Sequence, residues 1–98
     1  MAMVNPVFGF EVVKDKNYEK DCKPYKNRKK DILNTELNIV KYPERSRQYH
    51  GPIAAKSCKG WLHAAVDINL RILYQPDYEH RIVLLKRLVP HRDMERMC

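Results

Sequence analysis

Several residues in the apolar second half of this chain are of types that a packed strand has little use for. Arg71 interrupts Asn69-Leu70-Arg71-Ile72-Leu73-Tyr74, and His63 and Asp67 interrupt Trp61-Leu62-His63-Ala64-Ala65-Val66-Asp67-Ile68. A further apolar run ends in Pro90-His91-Arg92-Asp93, and His50 stands upstream in Tyr49-His50-Gly51-Pro52. A polar group set into an apolar strand costs stability unless it faces solvent or finds a partner, so packing alone does not select it. A planar guanidinium can hold two phosphate oxygens at once. An imidazole, with an unperturbed pKa of about 6.5, moves protons at neutral pH. Arginine with histidine is therefore a pairing suited to phosphate recognition with proton transfer.

The totals agree with an anionic partner. Nineteen Lys and Arg against twelve Asp and Glu leave a net charge of +7 on 98 residues. Such a surface draws polyanions, nucleic acid above all, through long-range attraction and counterion release. The length suits one domain over residues 1–98 with a single core. With 44% hydrophobic and 32% charged residues, the composition is that of a folded chain. No apolar run reaches membrane-spanning length, so no membrane association is expected. The first ten residues lack the charged start and long apolar core of a secretory signal. Cys22, Cys58 and Cys98 are too few and too scattered for a disulfide framework, which points to a reducing cytoplasm.

Other chemistries lack their signatures. Cys58 and His63 lie five apart, but no CxxC or HxxxH partner completes a zinc set, so neither a metal nor a cofactor is expected. There is no glycine-rich phosphate loop, no GxSxG and no glycosidase-like carboxylate pair.

The elements that must position these residues follow from periodicity and turn chemistry. Residues 8–13 alternate as a first strand. Asp15 or Asn17 can cap a short helix carrying Tyr18 and Cys22, which Pro24 ends or bends. A second helix starts near Asn27, with Ile32, Leu33, Leu37 and Val40 at helical spacing, and stops before Pro43. Residues 44–57 read as a loop with a short strand near Ile53. Three strands follow. Leu62, Ala64, Val66 and Ile68 alternate with Trp61, His63, Ala65 and Asp67. Leu70, Ile72 and Tyr74 share a face opposite Arg71, Leu73 and Gln75. Pro76-Asp77 turns the chain, and the last strand runs from His80 to about Val89 until Pro90 stops it. The expected architecture is α+β: an N-terminal strand, two helices, then a three-strand antiparallel meander, with helices on one face of a small sheet and the other face free for function.

Asn69-Leu70-Arg71-Ile72-Leu73-Tyr74, the Lys59-Gly60-Trp61 entry and the closing strand before His91-Arg92-Asp93 resemble the RelE/ParE superfamily of toxins from bacterial toxin–antitoxin pairs, and the element order over residues 8–93 resembles it too. Its RelE-like and YafQ-like members are ribosome-dependent messenger RNA endonucleases, acting without a metal. They transfer the RNA 2′-hydroxyl onto the adjacent phosphate, which needs a proton acceptor, cations for the phosphate and a donor for the leaving 5′ oxygen. The resemblance assigns Arg71 to the phosphate, His91 to proton transfer and Arg92 to a second phosphate contact. His50 resembles a family histidine ahead of the three strands, and His63 and Asp67 complete the catalytic candidates. Lys56, Lys59, Trp61, Lys86 and Arg87 are the expected RNA contacts, with Trp61 or Tyr49 available for base stacking.

Two family features are missing. Leu62-His63-Ala64-Ala65-Val66 stands where RelE-like members carry alternating lysines, and Met94-Glu95-Arg96-Met97-Cys98 holds no aromatic. These departures shift weight toward a histidine-based variant. They leave open a ParE-like toxin that binds DNA gyrase without nuclease residues, and a degenerate member that keeps only RNA or antitoxin binding. The basic stretch 14–30 serves either ribosomal RNA phosphates or a solvated helix face. The resemblance also implies a cognate antitoxin, small, acidic and DNA-binding, in a hetero-oligomer with the toxin.

Overall fold

The computed structural model describes residues 10–98. Their order is β1 (Glu11–Lys14), α1 (Lys16–Cys22), a 3-10 segment (Lys23–Arg28), α2 (Lys29–Lys41), β2 (Tyr49–Pro52), a 3-10 turn (Lys56–Cys58), β3 (Leu62–Ala65), β4 (Leu70–Asp77), β5 (Ile82–Pro90) and α3 (His91–Met97). The strands form one mixed sheet in the order β1-β5-β4-β3-β2. β1 runs parallel to β5, and the other pairings are antiparallel.

The α+β class agrees with the sequence, while the sheet is larger than the expected meander. Both edge strands, β1 and β2, join through contacts distant in sequence. Residues 8 and 9 of the expected first strand lie outside the described residues, and pairing with β5 covers 11–14.

Local chemistry sets the helices. Asp15 caps α1 by accepting the Asn17 N–H at 2.9 Å. After Pro24 the backbone leaves helical geometry at Tyr25 (φ −106°, ψ 36°), which separates α1 from α2. The inward stripe of α2 is Ile32, Thr35, Glu36 and Ile39. Leu33 and Leu37, expected on that stripe, are instead exposed. Polar groups can take their place because each has a partner. The buried Tyr18 hydroxyl donates to Glu36 Oε2 at 2.6 Å, Lys14 Nζ lies 3.8 Å from Glu36 Oε1, and Thr35 Oγ1 donates to the Asp31 carbonyl at 3.0 Å.

The main core fills the space between these helices and one sheet face: Tyr18, Ile32 and Ile39 meet Leu62, Ala64, Leu70, Ile72, Tyr74, Val83, Leu85 and Leu88. The opposite face, expected to be free, is partly covered. Ile53, Cys58, Leu73 and Val89 form a second cluster, against which Trp61, Met94, Met97 and Cys98 pack. The cover is the 53–58 segment and α3, a helix that the sequence reading did not include. Seven residues make a marginal helix by themselves, so α3 depends on this packing.

The expectation from the cysteines is corrected at the same place. Cys58 and Cys98, 40 residues apart in sequence, form a disulfide with a Cα–Cα distance of 5.5 Å, and Cys22 stays free. Their pairing follows from the docking of α3 beside the 56–58 turn, a contact that spacing does not encode. Among the described residues no helix is long and apolar enough to cross a membrane.

Candidate functional site

Strand alternation places Arg71 and His63 on the face opposite α1 and α2. In the β3–β4 ladder Ala65 stands across from Arg71 and His63 across from Leu73, while Leu62, Ala64, Leu70 and Ile72 point into the main core. On its other side Arg71 is paired with Val89 of β5, so it sits in mid-sheet and is only 8% exposed. One Nη donates to the Ile68 carbonyl at 3.3 Å, and its buried Nε has no partner. The buried Nδ1 of His63 is unpartnered as well. Native interiors leave few such groups, and those that persist call for an explanation.

His50 reaches the same place through a backbone irregularity. The β2–β3 register shifts between Tyr49 and Gly51, with Gly51 opposite His63. Gly51 has φ +110°, a conformation that a side chain would strain. Such bulges re-aim side chains. Here the His50 ring stacks on His63, with centroids 5.9 Å apart and planes 25° from parallel.

The electrostatics favour neutral imidazoles. Burial, then the Arg71 charge and His50, lower the pKa of His63 below the ordinary value, with the Gly51 carbonyl acting the other way. Burial, Arg71 and His91 lower that of His50. Both rings are therefore proton acceptors at neutral pH.

His91 and Arg92 open α3 and are exposed. The His91 N–H donates to the Asn69 carbonyl at 2.5 Å, which ties the start of α3 to the β3–β4 turn. Asn69, Pro90, His91 and Arg92 line a cavity of about 390 Å³. Asn69 is the residue that sequence reasoning did not single out; it acts through its backbone, which leaves no signal in residue type.

Asp67 and Arg87, both part-exposed, are each held in an ion pair within the chain. β3 ends at Ala65, so Asp67 lies in the turn, where Oδ1 accepts the Asn69 and Leu70 N–H groups at 2.7 Å each and Oδ2 takes Arg28 Nη2 at 2.5 Å. Partial burial works against its ionised form, but these bonds outweigh it and hold the carboxyl below its ordinary pKa. Arg87 is clamped by Asp21, with Nε at 2.7 Å and Nη2 at 3.1 Å, and Asp21 also accepts the Leu88 N–H at 2.9 Å.

The remaining expected contacts gather around Trp61, two residues before His63 on the same face. Lys86 Nζ lies 5.4 Å from the centre of the Trp61 ring, and Lys56 and Lys59 are exposed beside it in the chain. Four residues of strand, roughly 13 Å, separate Trp61 from the Ala65–Arg71 rung. Among the described residues no group of three or more His, Cys, Asp or Glu side chains is placed to hold a metal ion.

No family model matches the sequence, and no curated protein matches it in sequence. The fold does have relatives. A metal-bound toxin from Helicobacter pylori is similar with a TM-score of 0.72 at 18% identity, over 87% of this chain and 98% of that one. The DinJ-YafQ toxin-antitoxin complex of E. coli gives 0.70 at 15%, over 88% and 97%. The toxin-antitoxin complex RelBE2 of Mycobacterium tuberculosis gives 0.61 at 22%, over 87% and 94%. The chain thus has the fold of the RelE/ParE toxins.

Proposed function

We propose that residues 1–98 act as one toxin domain of a toxin–antitoxin pair, a cytoplasmic endonuclease that cuts messenger RNA on the ribosome. The observation that carries this reading is the pairing of buried, unpartnered nitrogens on Arg71 and His63 with two more imidazoles, on a sheet face away from the main core.

In this reading Arg71 holds the scissile phosphate and stabilises the charge that grows on it. His50, neutral and exposed, takes the proton from the 2′-hydroxyl, and His63, stacked against it, is a positioning residue. The 2′ oxygen bonds to phosphorus as the bond to the 5′ oxygen breaks. His91 donates a proton to that leaving oxygen, and Arg92 supplies a second phosphate contact. The products are a 2′,3′-cyclic phosphate and a 5′-hydroxyl. Lys56, Lys59, Lys86 and Trp61 extend the surface along the message.

The antitoxin has a candidate seat on the opposite side of the molecule. A groove of about 470 Å³ runs between α1 and α2, with Lys14, Lys23, Lys26 and Lys29 on its rim and Tyr25, Ile32 and Leu33 among its lining. Its charge suits an acidic amphipathic segment.

The test is primer extension on a message translated in the presence of purified protein, where discrete cuts are expected. Growth arrest on expression without cuts would end the reading. Pulse labelling after induction separates it from a gyrase poison: protein synthesis should fall first, not DNA synthesis.

A further inference from the structure

We propose that the Cys58–Cys98 disulfide is a redox latch that holds α3 over His63, and that reducing it opens this side of the site. The consequence for cleavage rests on the endonuclease reading above; the mechanics do not.

The two ends of α3 are held by different means. The first is fixed by the sheet: Pro90 pairs with Leu70 in the β4–β5 ladder, and the His91 N–H is bonded to Asn69. The second is held by the Cys58–Cys98 bridge, by the Ser57 hydroxyl donating to the Cys98 carbonyl, and by the packing of Met94 and Met97 on Ile53, Leu73 and Val89. Met94 and Cys98 share with His63, Pro52 and Ile53 the wall of one cavity of about 380 Å³. The bridge thus anchors the end of the helix that closes over the His63 side chain. A seven-residue helix has little intrinsic stability, so freeing that end lets it fray from the C-terminal side while His91 keeps its anchor.

The chemistry is thiol–disulfide exchange with a dithiol reductant. Cys58 is 2% exposed and Cys98 is half-buried, so the reductant thiolate attacks Cys98 Sγ and displaces Cys58 as thiolate. The second reductant thiol then attacks the mixed disulfide and releases Cys98. Two electrons and two protons pass to the protein, and the reductant becomes a disulfide. A reducing cytoplasm keeps the latch open, and oxidation closes it.

The test compares the full chain, oxidised, with the same chain treated with dithiothreitol and with Cys58→Ala/Cys98→Ala. Amide hydrogen exchange in 91–98 should quicken at least tenfold on reduction. Diethyl pyrocarbonate should modify His63 several-fold faster, with exposed His80 and the β4 amides unchanged. Message cleavage should rise several-fold. Equal exchange and equal His63 modification in both redox states would overturn the latch, as would an opened helix that leaves a measurable cleavage rate the same in both states. Opening of α3 with no cleavage in either state supports the latch and removes the endonuclease reading alone. Should the double variant lose β4 protection, the reduced wild-type chain still decides.

Discussion

On the side of the sheet under α1 and α2, the buried tyrosine hydroxyls find partners: Tyr18 meets Glu36 and the Tyr74 hydroxyl meets the Pro43 carbonyl. On the other side Arg71 Nε and His63 Nδ1 are buried without partners, and two imidazoles are stacked beside an arginine that disfavours their protonation. The first arrangement is what stability selects. The second costs stability, and such costs collect where a ligand supplies the missing bonds. The contrast also separates two arginines of one sheet: Arg87 is spent on a carboxylate, whereas Arg71 makes one long bond to a carbonyl.

The largest effects should split the two faces by activity. Arg71→Ala and His91→Ala are each expected to lower message cleavage by ~10²–10⁴ in primer-extension assays, the usual cost of losing a positioned catalytic group. Unchanged toxicity in both variants would erase the distinction between the faces. Next comes stability. Ile72→Ala, at a fully buried position under the helices, should cost about 2–5 kcal/mol in urea unfolding, well above the cost of Arg71→Ala.

A pH effect should follow from His63 and His50. Their folded pKa values lie below the ordinary 6.5, so between those values and 6.5 the unfolded chain binds more protons than the folded one. Their contribution is complete above about pH 6.5 and is lost as the pH falls through the lowered values. Urea midpoints measured at falling pH should show the loss, and His63→Gln should reduce it. The smallest effect belongs to Leu37→Ala. This side chain is 51% exposed, so its removal should shift stability by no more than about 0.5 kcal/mol. A larger loss would mean that α2 buries the stripe expected from the sequence.

Alternation in 61–75 was enough to put Arg71 and His63 on the face away from Ile72, because a strand has period two whatever its neighbours. The cap at Asp15, the break after Pro24 and the halt of β5 near Pro90 were legible for the same reason: each is decided within a few residues. Apolarity alone misplaces the stripe of α2, because Thr35 and Glu36 face inward on hydrogen bonds made to other parts of the chain or to the preceding turn.

What the sequence determined by itself was therefore local: the element types as far as β5, the period-two placement of arginine and histidine, and a positive surface charge. Only the tertiary structure decided that β1 lies parallel to β5, that a bulge at Gly51 brings His50 onto His63, that Asp67 and Arg87 pair with Arg28 and Asp21, and that Cys58 meets Cys98 under a seven-residue helix. Each of these joins residues far apart in the chain. Such contacts depend on how the whole sheet and its helices close around the core, which no short window of sequence specifies.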